Sequence, residues 1–156
     1  MKKTVRTVIL LLIVVLASTG LSACAKDQEK ITSLLAEFEY SCNTLDVESI
    51  LDCIHPSMAD KMKLAAGVIG KLTGKDTSEV LENISTWLIG DSALDGNDFF
   101  SSIKIEVEDI KIDGEEAIAS TLVAYKINGA PFNRRAEFKC TYHMEKWYIS
   151  KFSFAK

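Results

Sequence analysis

The chain has 156 residues, with 18 Lys plus Arg against 22 Asp plus Glu and a formal net charge of −4. A net acidic chain is a poor match for nucleic acid, whose partners present basic faces, and for adhesion to anionic lipid through a basic patch. The length suits one domain with a single core, and no internal repeat or low-complexity tract interrupts it.

Residues Val8 to Ala17 form an unbroken apolar run of ten, preceded by Lys2, Lys3 and Arg6, with no acidic residue before Asp27. This is the layout of a secretory signal. A membrane-spanning helix needs about 20 apolar residues, and Ser18, Thr19, Gly20 and Ser22 dilute the run too early. Leu21-Ser22-Ala23-Cys24 resembles the bacterial lipobox, in which small residues before a cysteine admit a lipoprotein signal peptidase and the thiol carries diacylglycerol. The resemblance implies residues 1–23 as signal peptide, acyl chains on Cys24, and a chain from Cys24 to Lys156 anchored at the extracytoplasmic face of the cell membrane. Removing residues 1–23 leaves 15 basic against 22 acidic side chains, a net charge of −7.

After a short tether, 24–27, helical periodicity begins. Ile31, Leu34, Leu35, Phe38 and Cys42 make one apolar stripe over Gln28 to Cys42. Asp46 is placed to cap a second helix with Val47, Ile50, Leu51 and Ile54 as its buried face, and His55 before Pro56 ends it. A third helix is expected over Ser57 to Leu72, with Met58, Met62, Ala65, Ala66, Ile69 and Leu72 on one side and Gly74 as its stop. Thr77 can cap a fourth, with Val80, Leu81, Ile84, Trp87 and Leu88 apolar, closed by Gly90.

From Ile103 the period is two. Ile103, Ile105 and Val107 alternate with Lys104, Glu106 and Glu108, and Ile110 and Ile112 resume after a phase slip at Asp109. Asp113-Gly114 signals a hairpin. Further strands are expected over Glu116 to Ile127, Asn133 to Met144 and Trp147 to Phe154, with a turn at Asn128-Gly129-Ala130-Pro131. About four helices packed on a four-stranded antiparallel meander make an α+β domain over 28–156.

The segments "YSCNTLDVESILDCIHP" and "YHMEKWYISKFSF" resemble nuclear transport factor two-like domains, the cone-shaped α+β fold shared with ketosteroid isomerases and limonene-epoxide hydrolases. More narrowly, the chain resembles lipoproteins of Gram-positive bacteria that carry this domain. These segments report fold and contain no catalytic motif, so the resemblance implies a curved sheet around helices with room for a pocket and leaves activity open.

Enzymes on this scaffold need an acid or base projecting into an apolar cone. The strand phase places His143 toward solvent, opposite the apolar positions Phe138, Cys140 and Tyr142, and His55 reads as a turn residue. Glu106, Glu108, Glu115, Glu116 and Glu137 fall at polar phases or in turns. No catalytic residue, cofactor or metal site is assigned. Tyr125, Tyr142 and Trp147 occupy alternating positions on three successive strands and are the candidate pocket lining, with plain core as the other reading. Besides Cys24, three cysteines remain. Cys42 and Cys53 are the candidate disulfide pair, although their offset across a helix hairpin strains the required Cα separation; buried free thiols are the alternative. Asp91, Asp95, Asn97 and Asp98 offer oxygen ligands in an order that misses calcium-loop spacing.

The function this supports is a non-catalytic lipoprotein whose domain binds a small apolar ligand or an envelope protein, with homodimerisation through the sheet as a further expectation from the resemblance. An isomerase, dehydratase or hydrolase using the cone is the alternative.

Overall fold

The computed structural model describes residues 25–65, 67, 74–89, 102–127 and 129–155. Helix α1 spans 25–44, so the residues expected as a tether after Cys24 are already helical. Ile31, Leu34, Leu35, Phe38 and Cys42, the expected stripe, are all buried. The helix ends in a Schellman turn: the Leu45 N–H donates to the Cys42 carbonyl at 3.0 Å and the Asp46 N–H to the Ser41 carbonyl at 2.9 Å. Leu45 takes the left-handed conformation there (φ 54°) in place of the usual glycine.

Asp46 then caps α2, Val47–Cys53, accepting from the Ser49 N–H at 3.2 Å and the Ser49 hydroxyl at 2.8 Å. Those hydrogen bonds, the hydroxyl first, hold the Asp46 carboxyl below the usual carboxylate range. Ile54 leaves the helix in an extended conformation and makes an isolated parallel bridge with Ile149, and the His55 N–H donates to the Ile149 carbonyl at 2.9 Å. Pro56 opens α3, Pro56–Ala65, at the one helical position where a missing N–H costs nothing.

Two helix boundaries differ from expectation. Helix α3 ends at Ala65, and Gly67, with φ 72° and its N–H on the Leu64 carbonyl, turns the chain. Met62 is buried and Ala65 exposed, so the apolar stripe is shorter than the sequence pattern; residues 66 and 68–73 lie outside the described residues. Helix α4, Gly74–Ile89, starts at the glycine expected as a stop and includes Thr77, the expected cap, in its first turn. Val80, Leu81 and Ile84 are buried as expected.

The sheet is an antiparallel meander in chain order: β1 Lys104–Asp113, β2 Glu116–Ile127, β3 Ala130–His143 and β4 Lys146–Phe154. The phase slip at Asp109 is a register shift between Val107 and Asp109. The β1–β2 loop is Gly114-Glu115, with glycine supplying φ 60° at the first loop position. Pairing of β3 begins at Ala130, opposite Ile127. The expected four-residue turn is therefore a two-residue loop, and Pro131 sits at the start of a strand, where its lost donor is tolerated.

One core joins the layers. Phe38 of α1 meets Phe138 of β3 edge-on at 6.1 Å, and Phe138 meets Phe152 of β4 at 4.9 Å. Ile50, Leu51, Ile54, Ile84 and Ile149 are fully buried around them. The buried polar side chains among the described residues are satisfied: Ser41 donates to the Glu37 carbonyl at 2.8 Å and Thr121 to the Ala136 carbonyl at 3.1 Å. Among the described residues no helix is long and apolar enough to cross a membrane.

Candidate ligand-binding site

Tyr142 and Trp147 face each other across the β3–β4 hairpin as register partners, their rings 5.3 Å apart. Tyr125 does not join them. It pairs with Phe132, stacks on that ring at 5.6 Å and lies 5.7 Å from Phe154. Phe132 is ten residues from Tyr142 along β3, roughly 33 Å at strand rise. The expected three-residue wall is thus two aromatic sites at opposite ends of the sheet. Between them Phe38, Phe138 and their neighbours among the described residues are buried.

Concave space lies outside this core, on both flanks of the β3–β4 hairpin. The larger groove, about 520 Å³, runs between the first turns of α1 and the hairpin, within the usual range for small-ligand sites. Trp147, 3% exposed, and Leu34 form its apolar floor. Lys26, Lys30 and Lys146 alternate on its rim with Glu29, Glu37 and Glu145. Asp27 ties the floor to α1: its carboxylate accepts from Lys30 Nζ at 3.0 Å and from Trp147 Nε1 at 3.4 Å. The Lys30 hydrogen bond, with a smaller contribution from Trp147, holds the Asp27 carboxyl below its usual range against a small opposing effect of burial. The same bond raises the Lys30 ammonium, which also stands 5.9 Å from the Tyr142 ring centroid.

The hairpin tip separating the grooves is conformationally costly. Met144 and Glu145 have φ of 47° and 67°, the pair of left-handed conformations of a type I′ turn, for which Asn-Gly is the favoured sequence. Met144 is 82% exposed.

On the other flank a groove of about 360 Å³ is lined by Asp52, Asp60, Lys63, Lys146 and Tyr148 over Ile54 and Pro56. Next to Pro56 and Tyr148 of this groove the fold brings together two residues that are far apart in the sequence. His143 is exposed, as expected, and half-buried His55 turns the chain before Pro56, as expected. Their rings are nevertheless only 5.2 Å apart, and His55 is 6.0 Å from the Tyr148 ring. The Ile54–Ile149 bridge, which carries the α2–α3 corner onto β4, creates this contact; no local pattern encodes it. Glu106, Glu108, Glu115, Glu116 and Glu137 are exposed, as their phases predict.

Cys42, Cys53 and Cys140 are free and buried, the candidate pair Cys42 and Cys53 included. Burial, with smaller effects from Cys53 and Glu39, pushes the Cys42 thiol well above its ordinary value. Burial also pushes Cys53 and Cys140 up to about 12. Burial of this kind makes a thiol a poor nucleophile. The acidic stretch Asp91 to Asp98 lies outside the described residues.

Solved structures share the fold. An NTF-2-like protein of unknown function from Shewanella oneidensis MR-1 matches with a TM-score of 0.54 and 12% identity, covering 83% of this chain and 99% of that one. A second chain, whose name carries the NTF2 label, matches with a TM-score of 0.51, 12% identity and the same coverages. A SEC-C motif-containing protein from Rhodopseudomonas palustris matches at 0.50, with 11% identity over 79% of this chain and 77% of its own. No protein-family model and no curated protein matches the chain. The architecture is the α+β fold of nuclear transport factor two-like proteins, and at these identities the likeness concerns fold alone.

Proposed function

We propose that the chain is a lipoprotein of the Gram-positive type, acylated on Cys24 and held at the extracytoplasmic face of the cell membrane, whose domain binds a partner without catalysis. The observation that carries the binding reading is the division of space. Among the described residues the inner face of the sheet is occupied by Phe38, Phe138, Phe152 and Ile149, and a concavity lies in the groove floored by Trp147. Among the described residues the buried inward positions of the strands carry Ala117, Ala119, Thr121, Val123, Tyr125, Ala136, Phe138 and Cys140, with no carboxylate or imidazole to act as general base for the isomerase or hydrolase alternative.

The groove's apolar floor and balanced rim of three lysines and three glutamates fit an apolar side chain flanked by charges of both signs, as an envelope protein presents. A small apolar ligand fits the floor but leaves the rim unused. The anchor supports the same site, because the chain is already helical at residue 25, the first described residue, and these helical turns form one wall.

Two measurements test this. In cells, Cys24 incorporates labelled fatty acid, and Cys24→Ala loses the label and remains unprocessed; equal labelling of the variant refutes the anchor. A photo-crosslinker at Lys26 captures a discrete adduct that is lost with Trp147→Ala at matched protein levels, whereas one at Phe132 does not. Identical adducts from both ends refute the groove as the binding site.

A further inference from the structure

We propose that His55 and His143 form a two-histidine clamp for a first-row divalent transition-metal ion such as zinc, nickel or copper. The chain contains two histidines, 88 positions apart, and the fold sets their rings 5.2 Å from centroid to centroid with planes inclined at 45°. With metal–imidazole bonds of about 2.0–2.1 Å, a metal sits roughly 3.2 Å from each ring centroid, so two imidazoles on a tetrahedral centre have centroids about 5.2 Å apart. The observed centroid spacing matches that separation.

His55 is also prepared as a ligand. Its Nδ1 lies 3.0 Å from the Ser57 hydroxyl; with Nδ1–H donating to that oxygen, Nε2 keeps its lone pair for the metal. A hydrogen bond from the non-ligating nitrogen is the usual way a metal-binding imidazole is oriented. Both rings stand on anchored backbone: the His55 N–H donates to the Ile149 carbonyl, its carbonyl accepts from Met58 at 2.8 Å and Ala59 at 3.1 Å, and His143 pairs with Lys146 across the turn. Lys146, the cation beside the pair, is engaged elsewhere: its Nζ donates to the Asp52 carbonyl at 3.3 Å and stands 5.4 Å from the Tyr148 ring centroid.

Among the described residues no group of three or more His, Cys, Asp or Glu converges on one point. The clamp therefore supplies two protein ligands, and water fills the remaining positions. Bound metal fastens the α2–α3 corner to the β3–β4 hairpin beside the smaller groove, and stabilises the fold by mass action.

The test is calorimetric titration of the untagged full-length chain, in mild detergent and stripped of metal, with zinc and nickel chloride at pH 7.5. One ion binds per chain, binding weakens at pH 5.5 because protons compete for the imidazoles, and zinc raises the melting temperature. His143→Ala, at an exposed position, and His55→Asn each weaken binding about tenfold or more, and His143→Ala abolishes the thermal shift while melting like the parent without metal. The proposal is overturned if either variant binds like the parent, if about 1 mM zinc gives no thermal shift, or if one ion binds per two chains.

Discussion

Removing the Trp147 side chain measures how deeply it is built into the core, because this residue is buried and also floors the groove. Only 3% of it reaches solvent, its ring lies 5.3 Å from that of Tyr142, and its indole N–H reaches Asp27 at 3.4 Å. Large-to-small truncation of a buried tryptophan costs about 3–5 kcal/mol, of which the aromatic pair accounts for about 0.5–1.5 and the long hydrogen bond for no more than about 1. Trp147→Ala therefore loses about 3–5 kcal/mol, and Trp147→Phe, which keeps most of the buried ring and gives up the indole N–H, about 1–2 kcal/mol. Tyr142→Ala, at a half-buried position, loses clearly less than Trp147→Ala. Urea denaturation followed by circular dichroism measures all three. With a urea slope of about 2 kcal/mol/M, the tryptophan-to-alanine midpoint falls by roughly 2 M at unchanged slope. A Trp147→Ala loss below about 1.5 kcal/mol, or a Trp147→Phe loss as large as the alanine one, refutes the assignment of this ring as the buried floor of the groove.

Asp46→Ala costs about 1 kcal/mol at pH 7 through loss of the α2 cap. Because the folded carboxyl titrates below the usual range, the charge-dependent part of that stability is complete above the unfolded carboxylate value and fades as pH falls through the folded one; Asp46→Asn removes this dependence in denaturation curves taken between pH 2 and 7. Cys42, Cys53 and Cys140 resist iodoacetamide at pH 8 in the native protein and are alkylated in denaturant; rapid native labelling of any of them contradicts its burial and raised thiol value. Gly114→Ala costs about 1–2 kcal/mol through its left-handed backbone alone, since an added Cβ meets nothing within 4 Å; an unchanged denaturation midpoint refutes the turn geometry.

The elements legible in the sequence were those written in local periodicity. The stripe from Ile31 to Cys42 became the buried face of α1, and the slip at Asp109 became the bulge in β1, because side-chain alternation and burial are the same physical fact. Asp46 was legible because a cap acts within three residues. The position of Tyr125 is not legible, for the opposite reason. Alternation says which face a residue occupies but not how far along a strand it lies, and β2 and β3 are long enough to put two inward positions at opposite ends. The Schellman turn at Leu45 and the I′ turn at Met144-Glu145 carry none of the glycine that marks such turns. The histidine pair depends on where the α2–α3 corner meets β4, a decision of tertiary packing.

An open four-stranded sheet has two edges, each a row of backbone groups able to recruit a foreign strand. Here both are engaged by the chain's own helical half. Along β1, Gln28 donates to the Ile110 carbonyl at 3.2 Å, Glu39 accepts from the Ile105 N–H at 2.6 Å, and Asn43 donates to the Ile103 carbonyl at 2.8 Å. Along β4, Ile54 and the His55 N–H occupy Ile149. Strand-by-strand polymerisation, the ordinary hazard of crowding many copies of a sheet protein on one surface, is thereby obstructed at its two starting points. Glu39→Ala and Asn43→Ala together would reopen the β1 rim, and self-association rather than unfolding would be their first symptom.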